Sequence, residues 1–454
     1  MNFFKKAAAL LAAAVLSLPA VSLVSASAEP GDVESGLNDG TFTYELVDGS
    51  YTITACNPSA ILTEVPELVN GYAVTAIGDE AFISCTYITE LNIPDSVRSI
   101  GSSAFAGCTS LKKIKLPSKL TTINDSTFFS CSALEEIDIP EGVTYIGTYA
   151  FYNCNALTDV TLPSSVDTIK EMAFAECANI DTFDASQCKA FTFSDGILYT
   201  TGKTEIVRAS TKLSGDVHIE DTVTSIQPGA FSLCYGIEHL FCGSVLSYIG
   251  EDAFGYCQNL KSVDFTNALV TIEPIAFKYC IALESVDLPI NLSTIGDGAF
   301  YNCKALSHAI IPESVKEIGT GAFLSCPELK NVIVPKTVKS IGDSAFGFTE
   351  NSSTGAYEPV DGFSMSVFED SAALKYAKDS KVKYEVEDKS LKQTAFIIVA
   401  VAVIIAAVVF AGVLMARGRK SASAAVKKAD KKAKEQEEEE SYTGIVEDDS
   451  PEKR

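Results

Sequence analysis

Histidine is nearly missing from this chain, with only His218, His239 and His308 among 454 residues. Their spacing fits neither a metal-ligand set nor a nucleophile, base and orienting group, which must converge in distinct roles. The motifs C-x-x-C, H-E-x-x-H, G-x-S-x-G and the EF-hand calcium loop are absent too. Gly202-Lys203-Thr204 has the ending of a phosphate loop, but the first glycine of that motif would fall at Ile197, and the surrounding residues read as a hairpin. No catalytic, cofactor-binding or metal-ligating residue is assigned, and no enzymatic activity is expected.

Positive charge is also scarce, at 35 Lys and Arg against 59 Asp and Glu. Setting aside segments 1–28 and 416–454, which hold 12 basic and 10 acidic residues, leaves residues 29–393 with 23 basic and 49 acidic, a formal charge of −26. Such a surface repels nucleic acid and anionic lipid, both of which bind through clustered Lys and Arg. No nucleic-acid partner is expected.

Both ends carry long uncharged runs. The first 28 residues have a short basic start at Lys5 and Lys6, an Ala- and Leu-rich run, and the small-residue ending Ala26-Ser27-Ala28, which together read as a secretory signal peptide. Ala395 to Met415 is 21 residues without a charge, enough for the roughly 20 that cross a bilayer as a helix. Arg417, Arg419 and Lys420 follow at once, and positive flanks stay on the cytoplasmic side. The reading is a single-pass membrane protein with its span at 394–415, a cytoplasmic charged tail at 416–454, and the rest of the chain extracellular. In that tail, KKADKKAKEQEEEE (427–440) is a solvated or partly helical segment, or a docking site for an intracellular partner.

Between the ends a unit of 23 residues recurs: A-F-x-x-C-x-x-L-x-x-I-x-I-P-x-x-V-x-x-I-G-x-x. Its aromatic position is Phe82, Phe105, Phe128, Phe151, Phe174, Phe231, Phe254, Phe277, Phe300, Phe323 and Phe346. Apolar sets such as Leu134-Ile137-Ile139 alternate before a proline, as a half-buried strand does, so one short strand per coil is expected. A second apolar pair, such as Val143/Ile146, is closed by Gly at 101, 147, 250, 296, 319 and 342, where a positive-φ or crowded corner turns the chain. One repeat is then one turn of a solenoid, stable only through stacked neighbours, with the Phe rings forming a continuous spine.

Ten of the thirteen cysteines share the period: Cys85, Cys108, Cys131, Cys154, Cys177, Cys234, Cys257, Cys280, Cys303 and Cys326. The same inward corner in every coil suits a small apolar side chain with a weak S–H donor. Parallel side-chain vectors disfavour bridges between neighbours, although strand spacing puts the Cα atoms within range of one, so a free-thiol ladder is read ahead of disulfides or a string of metal ions. Thr349 replaces cysteine in the last repeat, and Cys56, Cys188 and Cys242 lie off the ladder.

The fold class is thus mainly β: a parallel solenoid of 23-residue coils with terminal caps and one C-terminal transmembrane helix. Residues 29–72 form an N-terminal β-hairpin cap around Asp48-Gly49, 73–186 hold repeats one to five, and 223–348 hold repeats six to eleven. Residues 187–222 are an inserted β-hairpin around Thr201-Gly202, projecting from the array. Residues 349–393 are the C-terminal cap, reading strand, short helix and strand, with a juxtamembrane stalk.

The unit L-x-x-I-x-I-P-x-x-V-x-x-I-G-x-x-A-F-x-x-C closely resembles the BspA-like leucine-rich repeats, a treponemal and gut-bacterial surface class. The resemblance runs over roughly residues 41–386 and includes DGILYT (195–200) and GFSMSVFEDSAALKYA (362–377). It implies a bacterial cell-surface protein of a family whose members bind host extracellular proteins or other cells. Unlike members held by sortase, this sequence has no LPxTG motif and carries its own apolar span.

The eighth and tenth residues after each Phe point outward in rows. In the first half these are polar, for example Lys113/Lys115 and Glu136/Asp138. In the second half Phe241, Ile310 and Ile333 place apolar groups there, and clustered exposed apolar groups on a rigid face mark partner sites. Phe241, Asp264, Asp287, His308, Ile310, Asn331 and Ile333 are the ligand-binding candidates. The expected function is recognition or adhesion, with an extracellular protein or glycan as partner. The alternative is a structural component of the envelope that makes lateral contacts without a soluble ligand.

Overall fold

The computed structural model describes residues 36–387. The signal peptide expected at 1–28, the span at 394–415 and the tail at 416–454 lie outside the described residues. Among the described residues no helix is long and apolar enough to cross a membrane.

Each coil has three walls. The first is a short strand, in most coils two or three residues long and ahead of a proline, as in Glu90–Asn92, Lys113–Lys115 and Glu136–Ile137, which pair in parallel, and six residues long at Gly236–Phe241. The centre of each strand faces inward and its flanks face out, so Ile114 is buried between exposed Lys113 and Lys115. The second wall corrects the expectation of one strand per coil. The pair before the glycine forms a two-residue strand of its own, and six of these, from Ser225–Ile226 to Ser340–Ile341, line up in one parallel sheet. The apolar residues there are three apart rather than two, so alternation does not reveal this strand.

The third wall is the Ala-Phe turn. The residues two before and two after Phe take left-handed backbone, as at Glu80 and Ser84, Ser126 and Ser130, and Tyr149 and Asn153. Such a conformation costs a non-glycine residue roughly 1–2 kcal/mol. Bonds to the next coil offset it: the N–H groups of Glu80, Phe82 and Ser84 donate to the carbonyls of Ser102, Ala104 and Ala106 at 2.9, 2.7 and 2.7 Å. The repeated glycines serve another purpose. They are absent from the positive-φ residues, and a Cβ on Gly101 or Gly342 would lie within 2.4 Å of backbone in the preceding coil, so crowding alone excludes a side chain there.

The Phe rings stack as expected within each half, at 4.9–5.6 Å from Phe82 to Phe174 and 4.8–5.4 Å from Phe231 to Phe346. The spine is not continuous, however. Phe174 meets Phe183 edge-on at 5.3 Å, and Arg208, 1% exposed, fills the gap before Phe231. Its Nη1 donates to the carbonyls of Gly229, Ala230 and Ser232 at 2.8, 3.1 and 3.0 Å, and its Nη2 donates to Cys177 at 3.3 Å. The cationic head thus ties the last coil of one half to the first coil of the other.

The segment expected as a projecting hairpin is built into the wall instead. Phe191–Ser194, Ile197–Thr200 and Glu205–Ala209 form an antiparallel meander, whose last strand pairs in parallel with Ser225–Ile226. At the N-terminal end, Phe42–Val47 and Ser50–Cys56 form the hairpin around Asp48-Gly49, and Phe42 covers Phe82 at 5.7 Å. At the other end Ser364–Phe368, the helix Ala372–Asp379 and Tyr384–Glu387 follow in order, and Tyr376 Oη donates to the Phe346 carbonyl at 2.8 Å and accepts its N–H at 2.9 Å. Aromatic side chains therefore close both ends of the spine.

All thirteen cysteines are free thiols. The ladder has a polar purpose besides packing. Cys108, Cys131, Cys154 and Cys177 each donate Sγ–H to the Phe carbonyl of the preceding coil at 3.0–3.2 Å, and Cys257, Cys280, Cys303 and Cys326 do so at 3.1–3.3 Å.

Candidate ligand-binding face

The first wall carries the candidate residues because its flanking positions point away from the core while the parallel register aligns them. Phe241 lies opposite Asp264, Asp287 opposite Ile310, and Ile333 opposite Ser366. The strands Ser262–Asp264 and Ser285–Asp287 lie side by side, as do His308–Ile310 and Asn331–Ile333. One row therefore runs Phe241, Asp264, Asp287, Ile310, Ile333, Ser366. The neighbouring row runs His239, Ser262, Ser285, His308, Asn331, Ser364.

The structure brings six of the seven candidates onto one open stretch of these rows. Asp264, Asp287, His308, Asn331 and Ile333 are exposed and Ile310 is half-buried. Ile333 is 43% exposed, which matters because at an inner position of a strand it would be covered. Phe241 departs from the expectation. Its ring lies flat on His218 at 4.4 Å and 8°, so one face is already occupied and it belongs to local packing at the insertion. Beside it His239 Nδ1 and Ser262 Oγ are hydrogen-bonded at 2.8 Å.

Elsewhere this face is balanced by pairing across coils. Lys113 pairs with Glu136, Lys112 with Glu135 at 3.3 Å, and Lys261 with Glu238 at 2.5 Å. The Lys261 ammonium holds Glu238 below the usual carboxylate range. Such exposed pairs contribute little to stability, but they neutralise the surface they cover. No salt bridge is formed by Asp264 or Asp287 among the described residues, so two carboxylates lie next to two isoleucines on a flat sheet.

One apolar group escaped the sequence reading. Ile290 is 68% exposed at the corner after Pro289, where the equivalent residues of other coils are polar: Asp95, Ser118, Glu141, Ser164, Ser244, Asn267, Glu313 and Lys336. That contrast is the signal in the sequence, and it lies at the corner after the proline, outside the strand rows.

The model of the BspA-type leucine-rich repeat region, which spans six copies, matches residues 75–201, 208–328 and 247–375. The chain belongs to the BspA-type leucine-rich repeat family. Among solved structures it is similar to a leucine-rich cell surface protein of Faecalibacterium prausnitzii, with 27% identity, 68% of this chain and 95% of that chain covered, and a TM-score of 0.52. It also has the fold of the pneumococcal vaccine antigen PcpA, with 19% identity, 79% and 100% coverage, and a TM-score of 0.53. Among curated proteins none matches. As a BspA-type array, the chain has the mainly parallel β-solenoid of about 23-residue coils that its repeats implied.

Proposed function

We propose that this protein is a membrane-anchored bacterial surface recognition protein, held by the apolar span at 394–415, that binds an extracellular protein through the second-half strand face. The observation that carries the reading is the outward row Asp264, Asp287, Ile310, Ile333 on a rigid parallel sheet, exposed except for the half-buried Ile310. Family membership and the likeness to a cell surface protein support the surface role. Rigid apolar groups lose little entropy on contact, and the neighbouring carboxylates favour a partner with basic groups beside an apolar patch.

The test is binding of the full chain to a panel of extracellular matrix proteins, mucins and polysaccharides, beside an Ile310→Asp/Ile333→Asp variant with an unchanged circular dichroism spectrum. Saturable binding to a protein, weakened roughly tenfold to a hundredfold in the variant, supports the reading. Saturation only by polysaccharides would make the partner a glycan. Self-association without any ligand would favour the envelope scaffold instead.

A further inference from the structure

The cysteine ladder has one irregular rung. From the second coil on, each thiol is engaged by a carbonyl of the preceding segment, a Phe carbonyl in eight cases and Ser210 for Cys234 at 3.4 Å. Cys85 belongs to the first coil, with no earlier coil to supply that acceptor. Its neighbour is Cys56, at the end of the cap strand Ser50–Cys56. The Cys56 N–H donates to the Ala81 carbonyl at 2.6 Å, the same bond that the Phe82 N–H makes to Ala104 at 2.7 Å one coil on. Cys108 reaches the Phe82 carbonyl there, so this seating puts Cys56 in the place of a spine Phe, beside Cys85, while its own Sγ–H donates to the Asn57 carbonyl at 3.6 Å.

Here the objection to disulfides within the ladder does not apply. Two ladder cysteines occupy the same position of successive coils, so their Cα–Cβ vectors are parallel and a bridge is disfavoured. Cys56 comes from the cap, outside the repeat, and approaches from a different backbone. We propose that Cys56 and Cys85 form an oxidisable clamp, which fastens the N-terminal cap to the first coil by a disulfide when the surroundings become oxidising.

The chemistry needs an oxidant, and a small disulfide such as oxidised glutathione supplies it. The Cys85 thiolate attacks one sulfur of the disulfide and releases one glutathione thiolate, leaving a mixed disulfide on Cys85. The Cys56 thiol, whose proton the Cys85 thiol and burial hold in place in the reduced pair, gives that proton up once Cys85 is capped, attacks the Cys85 sulfur and expels the second glutathione. The two protons given up by the protein end on two glutathione thiols, so two protein thiols are oxidised as one disulfide is reduced. The neighbouring Cys56 thiol draws Cys85 below the usual thiol range against the effect of burial, whereas burial pushes Cys131 and Cys177 up to about 12. The thiolate is the attacking species, so the ladder interior stays unreactive. Cys56 is 7% exposed and Cys85 is closed off, so the oxidant enters as the cap edge opens.

The test treats the full chain with oxidised glutathione, alkylates the remaining thiols under denaturing conditions, and maps the non-reduced digest by mass spectrometry. The expected result is one Cys56–Cys85 cross-link two hydrogens lighter than the free pair, with the other cysteines alkylated. Limited proteolysis within residues 57–72 should also be slower in the oxidised protein, and Cys56→Ser or Cys85→Ser should abolish both effects. Cross-links between ladder neighbours such as Cys85 and Cys108, full alkylation of Cys56 and Cys85 after oxidation, or equal proteolysis of oxidised and reduced protein would each overturn the proposal.

Discussion

Replacing Cys280 separates the two purposes a ladder cysteine can serve. Its Sγ–H donates to the Phe254 carbonyl at 3.2 Å inside a core where Cys280 is inaccessible to solvent. Cys280→Ala removes about one buried heavy atom, worth about 1 kcal/mol, and takes a hydrogen bond worth about 1 kcal/mol from that carbonyl. The carbonyl keeps only the longer bond from the Cys257 N–H at 3.3 Å. The expected loss is about 2 kcal/mol. Cys280→Ser keeps a donor in place but fills less of the site, so it should cost about half as much. Urea unfolding followed by far-UV circular dichroism, beside hydrogen exchange of the amides of coils seven to nine, would read both variants. If the thiol were only an apolar filler, alanine would be the milder change, because serine would bury a hydroxyl without need. Alanine outperforming serine would refute the donor reasoning.

Other perturbations probe the junction and the corners. Lys278 has Asp252 at 3.0 Å and Glu176 at 3.6 Å, and burial pushes the Asp252 carboxyl up; Lys278→Met should cost about 3–5 kcal/mol, and adding Asp252→Asn should restore much of it, a coupling a double-mutant cycle measures. Arg208→Met takes its donors from the Ser232 and Cys177 carbonyls on either side of the junction, so urea unfolding followed by circular dichroism should show two transitions in the variant against one in the parent protein. Asp95 and Asp221 accept the backbone N–H of Ser118 and Ser244 at 2.7 and 2.8 Å, which holds both carboxyls below the usual range. A depressed carboxyl stabilises the fold above its unfolded pKa of roughly 4 and loses that contribution as pH falls. Exchange of the Ser118 and Ser244 amides, corrected for intrinsic rates, should therefore accelerate between roughly pH 4 and 2; unchanged protection would remove the carboxylates from the account.

The coil was legible in the sequence because one position is copied in every turn: the period of Phe and Cys gives its length, and the alternation before proline gives the first wall. The second wall was hidden because its strands are two residues long and its apolar residues three apart. The left-handed pairs flanking Phe were hidden because glycine holds only four of these positions, at 107, 229, 298 and 321, and residues as varied as Glu, Ser, Tyr, Met, Leu and Ile hold the others, the strain being offset by bonds to the next coil that only stacking reveals. Arg208 looked like an ordinary charge in an alternating run, and nothing local marked it as the plug between two spines. On the candidate face, Ile310 and Ile333 stood out where other coils are polar. The partner that occupies Phe241 is His218, in a strand outside the repeat, so that contact could not be read from the period.

The most direct test of the central claim is a hydrogen-exchange footprint of the full chain with and without the panel protein that binds it most tightly. The strand-face account predicts protection concentrated in residues 285–287, 308–310 and 331–333 and lost in the Ile310→Asp/Ile333→Asp variant. Protection confined to the caps, to the insertion or to the first five coils would contradict it.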